Sequence, residues 1–143
     1  MPSQQARKLV WADLAVGGKA SFDFAVSEAD MAQFAALSGD FNPLHIDDAF
    51  ARGKKFEGKV VYGALIIAKV SRLIGMDLPG QDSVWTNISF QFNRPLYVGQ
   101  TATLEGTVAN LSEATGGVEL KLTLKVEGRT LGKGSAEVLL AGR

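Results

Sequence analysis

The sequence predicts an α+β fold in which one antiparallel sheet wraps around a single long apolar helix. Three observations support this prediction: an N-terminal strand and helix, a long apolar segment at residues 64–76, and a C-terminal half that is almost entirely strand. Strands of alternating apolar and polar residues have one apolar face, which a packed helix can cover. The chain has no internal repeat and no long linker, so we expect one domain over residues 1–143, with residues 1–19 as a lead-in segment.

The N-terminal half predicts a strand and a capped helix. Residues 20–26 alternate apolar and polar side chains, as a half-buried strand does. Ser27 is a typical N-cap residue, and Asp30 stands where the reciprocal partner of a capping box is found. Gly39 would end the helix, and its apolar face is expected to contain Met31, Phe34, Ala35 and Leu37.

An irregular corner follows this helix. Asp40 and the only histidine of the chain, His45, stand five positions apart, with Asn42 and Pro43 between them. Residues 47–52 can then form a short helix. A histidine near a carboxylate is most often structural, but a pair fixed at a Gly/Asn/Pro corner is a candidate for acid–base catalysis.

Residues 64–76 predict the central helix, which is apolar around most of its circumference and is therefore expected to be buried on nearly every side.

Residues 118–126 form the clearest alternating stretch, and Glu127-Gly128 predicts a two-residue hairpin turn before a last strand at 129–140. Gly132 and Gly134 would weaken that strand or mark a bulge. On the strand before these, one face is expected to hold Val84, Thr86, Ile88, Phe90 and Phe92.

Composition excludes several classes of function. Fifteen basic and fifteen acidic residues balance without a run of like charge, so we expect no nucleic-acid partner and no membrane surface. The absence of cysteine excludes disulfides and a cysteine nucleophile, and with one histidine we expect no metal site. The apolar stretch after Lys8 is too short for a signal peptide, and residues 60–76 are too short and too charged to span a membrane. We therefore expect a soluble, cytoplasmic protein.

Residues 37–45, Leu-Ser-Gly-Asp-Phe-Asn-Pro-Leu-His, and the following residues 47–51 resemble the hydratase signature of the MaoC-like (R)-specific enoyl-CoA hydratases, which have the hot-dog fold. Residues 11–17, 60–65 and 89–99 also resemble family patterns, so the resemblance covers nearly the whole chain. One departure is Tyr62, because members commonly have His immediately before the glycine that opens the central helix. The shape or polarity of the pocket is expected to differ there.

The resemblance implies a role for each residue of the signature. Asp40 and His45 would hold one water and add it to one face of the C2–C3 double bond of an enoyl thioester, with the identity of the base left open. The backbone N–H of Gly63 would donate to the thioester oxygen at a helix N-terminus, where the absent Cβ lets the thioester approach. Asn42 would orient the corner or the water through its amide, or only close a turn before Pro43. Ser71 would place a hydroxyl near the catalytic group, or bond back to its own helix.

Two further sets of residues are candidates for substrate binding. The acyl chain would lie along apolar side chains near the corner and the central helix: Phe34, Leu37, Tyr62 and Leu65. The phosphates of a CoA or pantetheine arm would meet three cations: Arg94, Lys54 and Lys55.

The leading hypothesis is an (R)-specific trans-2-enoyl-CoA hydratase, a hydro-lyase that acts reversibly on short to medium acyl chains without a metal or redox cofactor. The alternative is a (3R)-hydroxyacyl-ACP dehydratase of fatty-acid synthesis, and a third is a non-catalytic acyl-thioester-binding hot-dog protein. A thioesterase is disfavoured because residues 64–76 contain no Asp or Glu. Hot-dog proteins of this size usually pair, so a homodimer is expected, with the acyl tunnel near the subunit boundary.

Overall fold

The computed structural model describes residues 4–143, and its elements follow the predicted order. Residues 1–3 of the predicted lead-in segment lie outside the described residues. The helices are α1 (Glu28–Ser38), α2 (Pro43–Ile46), α3 (Asp48–Gly53) and α4 (Gly63–Arg72), which continues as a π-helical turn (Leu73–Asp77). The strands are β1 (Lys19–Ala25), β2 (Ser83–Phe92), β3 (Thr101–Ser112), β4 (Gly117–Val126) and β5 (Arg129–Leu140).

The five strands form one antiparallel sheet in the order β1-β3-β4-β5-β2. A meander of all four C-terminal strands, which their succession along the chain suggests, is wrong: β3, β4 and β5 pair in sequence order, but β2 lies beside β5 and not beside β3. The predicted hairpin turn is present, because β4 turns into β5 at Glu127-Gly128, both with positive φ, as a type I′ turn requires. The inner face of the sheet packs against α4 through a shared apolar core. Leu65, Ile66 and Val70 of α4 are buried in it, as are Leu104 and Val108 of β3.

Helix α1 begins with the predicted capping box. The Ser27 hydroxyl accepts from the Asp30 amide at 3.1 Å, and the Asp30 carboxylate accepts from the Ser27 amide at 2.9 Å. This second bond is the main reason why the pKa of Asp30 lies below its usual value. Gly39 ends the helix in the left-handed conformation (φ 78°). The expected apolar face is wrong at one position, because Leu37 is 86% exposed while Met31 and Ala35 are buried.

The prediction that the central helix is buried on nearly every side is wrong. Ala64, Ala68 and Ser71 are exposed, and their spacing places them on one face of α4. Alanine counts as apolar in a sequence pattern, but it has little surface to bury, so a run of apolar residues overstated how much of the helix is covered. The exposed face of α4 is therefore lined by small side chains.

Strand β2 also departs from the prediction. Trp85 pairs with Val138 and Asn87 pairs with Glu137, so Thr86 is the extra residue of a β-bulge. The bulge places Trp85, rather than Val84 or Thr86, on the core face with Ile88, Phe90 and Phe92. Val84 is exposed on this edge strand, and Ile88 and Phe92 stay 38% and 49% exposed although they face inward.

Gly132 and Gly134 of β5 each have a different structural reason for being glycine. The β4–β5 register shifts between Leu124, opposite Gly132, and Lys125, opposite Thr130, so a bulge lies beside Gly132. At Gly134 the backbone of β2 comes so close that an added Cβ would lie 2.0 Å from the carbonyl oxygen of Ser89. A side chain is therefore excluded at Gly134 by backbone atoms. Within residues 4–143, no helix is long and apolar enough to cross a membrane.

Candidate active site

Two short hydrogen-bonded turns build the corner between α1 and α2. The Asp40 carboxylate oxygen Oδ1 accepts from the Asn42 amide at 3.0 Å, and the Asn42 side-chain oxygen accepts from the Leu44 amide at 3.0 Å. Asn42 is thus the N-cap of α2, with Pro43 at the first helical position. Asn42 therefore closes the turn before Pro43, and its expected role in orienting the water stays a prediction.

His45 lies on α2, one turn of helix rather than an irregular turn. Its Nδ1 atom is 2.7 Å from the carbonyl oxygen of Val60. A carbonyl only accepts, so Nδ1 carries the hydrogen, and in the neutral imidazole Nε2 is left as the acceptor. The Val60 amide in turn donates to the carbonyl of Leu44 at 3.2 Å. Val60 therefore holds the segment that carries His45 through both of its backbone groups.

Tyr62 contacts both catalytic candidates. Its ring stacks on the His45 ring, with centroids 4.1 Å apart and planes 26° apart. Its hydroxyl donates to the backbone carbonyl of Asp40 at 2.6 Å. Burial raises the pKa of Tyr62, and the negative charge of Asp40 raises it further, so this hydroxyl stays protonated. The sequence predicts Tyr62 only as a pocket residue that departs from a family pattern, because nothing in the local sequence shows a contact with a residue 22 positions away.

Gly63 opens α4 next to this cluster. The amides of Leu65 and Ile66 both donate to the carbonyl of Tyr62, whereas the amides of Gly63 and Ala64 precede the first acceptors of the helix. Such a terminus suits a developing negative charge. A Cβ at Gly63 would lie 3.2 Å from Cζ of Phe92, so an aromatic ring occupies the side that was expected to admit the thioester. A side chain at position 63 would therefore need the Phe92 ring to shift by a few tenths of an ångström.

The apolar candidates come together only in part. Phe34, Leu37 and Leu65 line one surface hollow of about 280 Å³, together with Ala68 and Arg72. Tyr62 is buried (1% exposed) and meets the hollow through Phe34, whose ring centroid is 4.7 Å from its own. The hollow is thus connected to His45 by a row of touching aromatic rings.

The remaining candidates are spread over the surface. Arg94 lines a cleft of about 390 Å³ with Arg129, Glu57 and Glu127. Lys54 and Lys55 lie elsewhere, at the C-terminal end of α3, where the Lys54 ammonium is 5.4 Å from the centroid of the Phe50 ring.

Ser71 is exposed on α4, eight residues after Gly63. That separation is about 12 Å along a helix, so within one chain its hydroxyl is remote from the start of α4.

A sheet wrapped around one long helix, with an Asp/His corner packed at the N-terminal end of that helix, defines a hot-dog protein with a candidate acid–base site. Residues 14–129 match the family model described as MaoC like domain, and the chain belongs to this family.

The known relatives agree with this assignment. An (R)-specific enoyl-CoA hydratase of Aeromonas caviae is 44% identical over 100 residues, which cover 70% of this chain and 75% of the relative. One of Rhodospirillum rubrum is 32% identical over 131 residues, 92% of this chain and 91% of the relative. The structure of an R-hydratase of Pseudomonas aeruginosa superposes with a TM-score of 0.88 at 30% identity, covering 96% of this chain and 88% of that one. The predicted fold and enzyme class, a hydro-lyase, are confirmed.

Proposed function

We propose that this chain is an (R)-specific trans-2-enoyl-CoA hydratase that acts reversibly on short to medium acyl thioesters. The observation that carries the proposal is the state of His45: its Nδ1–H is held by the Val60 carbonyl, which leaves Nε2 as a proton acceptor beside the Asp40 corner. The similarity to two enoyl-CoA hydratases supports the same reaction.

In the proposed reaction, His45 is the base. One water lies between His45 and Asp40; its oxygen attacks C3 as Nε2 takes one of its protons, while the Asp40 carboxylate accepts a hydrogen bond from the other O–H and so orients the lone pair. The electrons of the double bond move to the thioester oxygen, which the Gly63 amide stabilises. The imidazolium then returns its proton to C2, so hydrogen and hydroxyl arrive on the same face.

The first experiment follows loss of the enoyl-thioester absorbance of crotonyl-CoA and determines product chirality. We expect the (R) product, and a fall in kcat of about 10²–10⁴-fold in His45→Ala and Asp40→Asn. Asp47→Asn is the matched control, because Asp47 caps α3 with its carboxylate and Asn caps equally well. An exclusively (S) product, or full activity in both corner variants, would contradict the proposal. Binding without turnover would favour a non-catalytic thioester-binding protein.

A second comparison addresses the carrier. We expect a higher kcat/KM on CoA thioesters than on the same acyl group attached to a carrier protein. The reverse ratio would favour a (3R)-hydroxyacyl-ACP dehydratase.

Arg94, beside Arg129 in its cleft, is the cation with the better setting for a CoA phosphate, so Arg94→Gln should raise KM for CoA substrates and leave kcat unchanged. Binding of a CoA phosphate by Lys54 or Lys55 stays a prediction. The cytoplasmic location of the protein also stays a prediction.

We also propose a homodimer formed through the free edge of β2. On this edge strand the apolar side chains Val84, Ile88 and Phe92 are exposed, and an unpaired strand edge favours pairing with a second copy. Ala68 lies on the exposed small-residue face of α4 and also lines the apolar hollow, so a second chain there would place the acyl site at the subunit boundary. Ser71, on the same face, could reach a catalytic group of the second chain.

Light scattering at micromolar concentration tests the dimer. The expected mass is twice the 15.2 kDa of one chain. Ile88→Lys, which introduces a charge on the edge strand, should shift the mass toward the monomer. A monomeric wild-type protein would contradict the dimer without affecting the proposed reaction.

A further inference from the structure

We propose that Tyr62 is a positioning residue that sets the placement of His45 relative to Asp40. The inference rests on the proposed function for its effect on turnover, but its structural part can be measured without substrate.

The first observation is that Tyr62 makes a separate contact with each member of the pair. The face of its ring lies against the imidazole of His45 at 4.1 Å, and its hydroxyl binds the main chain of Asp40 at 2.6 Å. Displacement of Tyr62 would therefore move both groups that are proposed to hold the water.

The second observation is that Tyr62 is itself fixed. It is 1% exposed, it is the N-cap of α4, and its ring packs against Phe34 on the side of the hollow. Buried aromatic residues in close packing have few alternative rotamers. Tyr62 thus connects the corner to the rigid central helix, whereas Asp40 itself is exposed.

The third observation is which atom of Asp40 accepts the hydrogen bond from Tyr62. The hydroxyl of Tyr62 donates to the backbone carbonyl of Asp40, so the bond does not occupy the carboxylate. Oxygen Oδ1 of that carboxylate accepts from the Asn42 amide. The Asp40 amide also donates to the Ser38 hydroxyl at 3.1 Å. Three bonds on different atoms therefore orient Asp40, and the carboxylate keeps acceptor capacity for the water.

The test compares three substitutions. Tyr62→Phe removes only the hydroxyl and should lower kcat about tenfold with KM within about twofold, because a small misplacement of a catalytic group is costly in rate. Tyr62→Leu removes the stacking as well and should lower kcat further, by about 10²-fold. Tyr62→His keeps a ring that can stack, but its N–H does not extend as far as the tyrosine hydroxyl, so it should lose at least as much kcat as Tyr62→Phe.

Tyr97→Phe is the matched control, because Tyr97 is the only other tyrosine of the chain and its hydroxyl accepts from the Glu57 amide at 3.1 Å. Its kcat should stay within about twofold of wild type. A general loss of stability would lower the melting temperature and leave kcat well below that temperature unchanged, so kcat measured well below the melting temperature of each variant separates positioning from folding.

A substrate-free readout uses the single histidine. The ¹⁵N signals of His45 report its tautomer, and those of Asp40 and Asn42 report the corner. Tyr62→Phe should shift the Asp40 and Asn42 signals and keep the Nδ1–H tautomer, whereas Tyr62→Leu should shift both sets.

Wild-type kcat in both Tyr62→Phe and Tyr62→His, with unshifted corner signals, would overturn the positioning role and leave the hydratase intact. A wild-type protein without hydratase activity would instead overturn the proposed function, and the NMR shifts alone would then decide whether Tyr62 orders the corner. If Tyr62→Leu does not fold, Tyr62→Phe and Tyr62→His still decide.

Discussion

Gly134→Ala should destabilise the fold strongly, because backbone atoms of β2 fill the space that a Cβ needs. The added atom would lie 2.0 Å from the Ser89 carbonyl oxygen and 2.8 Å from the Phe90 Cα, whereas ordinary contact begins at 3.4 Å. β2 would have to retreat by about 1.4 Å from β5 at this point. Hydrogen bonds of the ladder cannot stretch so far, so about two of them would be broken.

The expected loss in the free energy of unfolding follows from the broken hydrogen bonds and from the overpacking. Two ladder hydrogen bonds contribute about 1 kcal/mol each, and overpacking costs typically 1–3 kcal/mol. The free energy of unfolding should therefore fall by about 3–5 kcal/mol, a large part of the 5–15 kcal/mol typical of a domain. For a chain of this length, the melting temperature should drop by about 10–17 °C.

Urea unfolding followed by tryptophan fluorescence is the assay, since Trp85 lies on β2 and packs against the core. All variants are compared at one protein concentration, because association would otherwise change the apparent stability. Gly53→Ala is the matched control: Gly53 lies in α3 with open space around it, and its unfolding free energy should change by less than about 1 kcal/mol. If Gly134→Ala unfolds within about 1 kcal/mol of wild type, the close approach of β2 at Gly134 is refuted.

Two other predictions concern the hollow and the helix cap. Leu37→Ser should lower kcat/KM for medium-chain enoyl thioesters by about fourfold for each CH₂ group of the acyl chain that no longer packs on the leucine. Activity on crotonyl-CoA and stability should stay unchanged, because Leu37 is 86% exposed. Leu139→Ser, at another exposed leucine, is its control, and an equal effect on all chain lengths would contradict the assignment of the hollow. Asp30→Asn should destabilise α1 at pH 7 by about 1 kcal/mol or less. Because the folded pKa of Asp30 is lowered below 3.8, its stabilisation is present above that pH and lost as pH falls through the folded value, so the gap in urea midpoint between wild type and variant should shrink at acidic pH. A gap that widens with acidification would contradict the carboxylate cap.

Features set by neighbours in sequence were predictable. The capping box of Ser27 and Asp30, the Glu127-Gly128 turn and the Asp40–His45 corner each depend on residues within a few positions of one another. Local chemistry decides such features, because the groups that bond are already close in the unfolded chain.

Features set by packing were not predictable. The bulge at Thr86 makes Trp85 rather than Val84 face inward at the start of β2, and because both are apolar, alternation alone could not choose between them. The exposed face of α4 followed from the small size of Ala64 and Ala68, which a hydrophobic pattern does not weigh. The contact of Phe92 with Gly63 depends on how β2 lies over the helix terminus.

The site shows the same division. The sequence placed Asp40 and His45 near each other, but the contacts that orient them come from Val60 and Tyr62, far along the chain. The acyl candidates Phe34, Leu37 and Leu65 share one hollow, whereas the three candidate cations do not share one cleft. The identity of a charged residue carries no information on where its element meets the others.

The hydrogen bond from His45 to Val60 has an evolutionary consequence. The acceptor that selects the imidazole tautomer is a main-chain carbonyl, which every amino acid possesses, so no substitution of the Val60 side chain removes it. Only proline would break the companion bond from the Val60 amide to Leu44, because proline has no N–H. Substitutions of the Val60 side chain should therefore preserve the tautomer of His45, the proposed base. The side chain at position 60 can then vary with the packing around it while the proton chemistry of His45 stays the same.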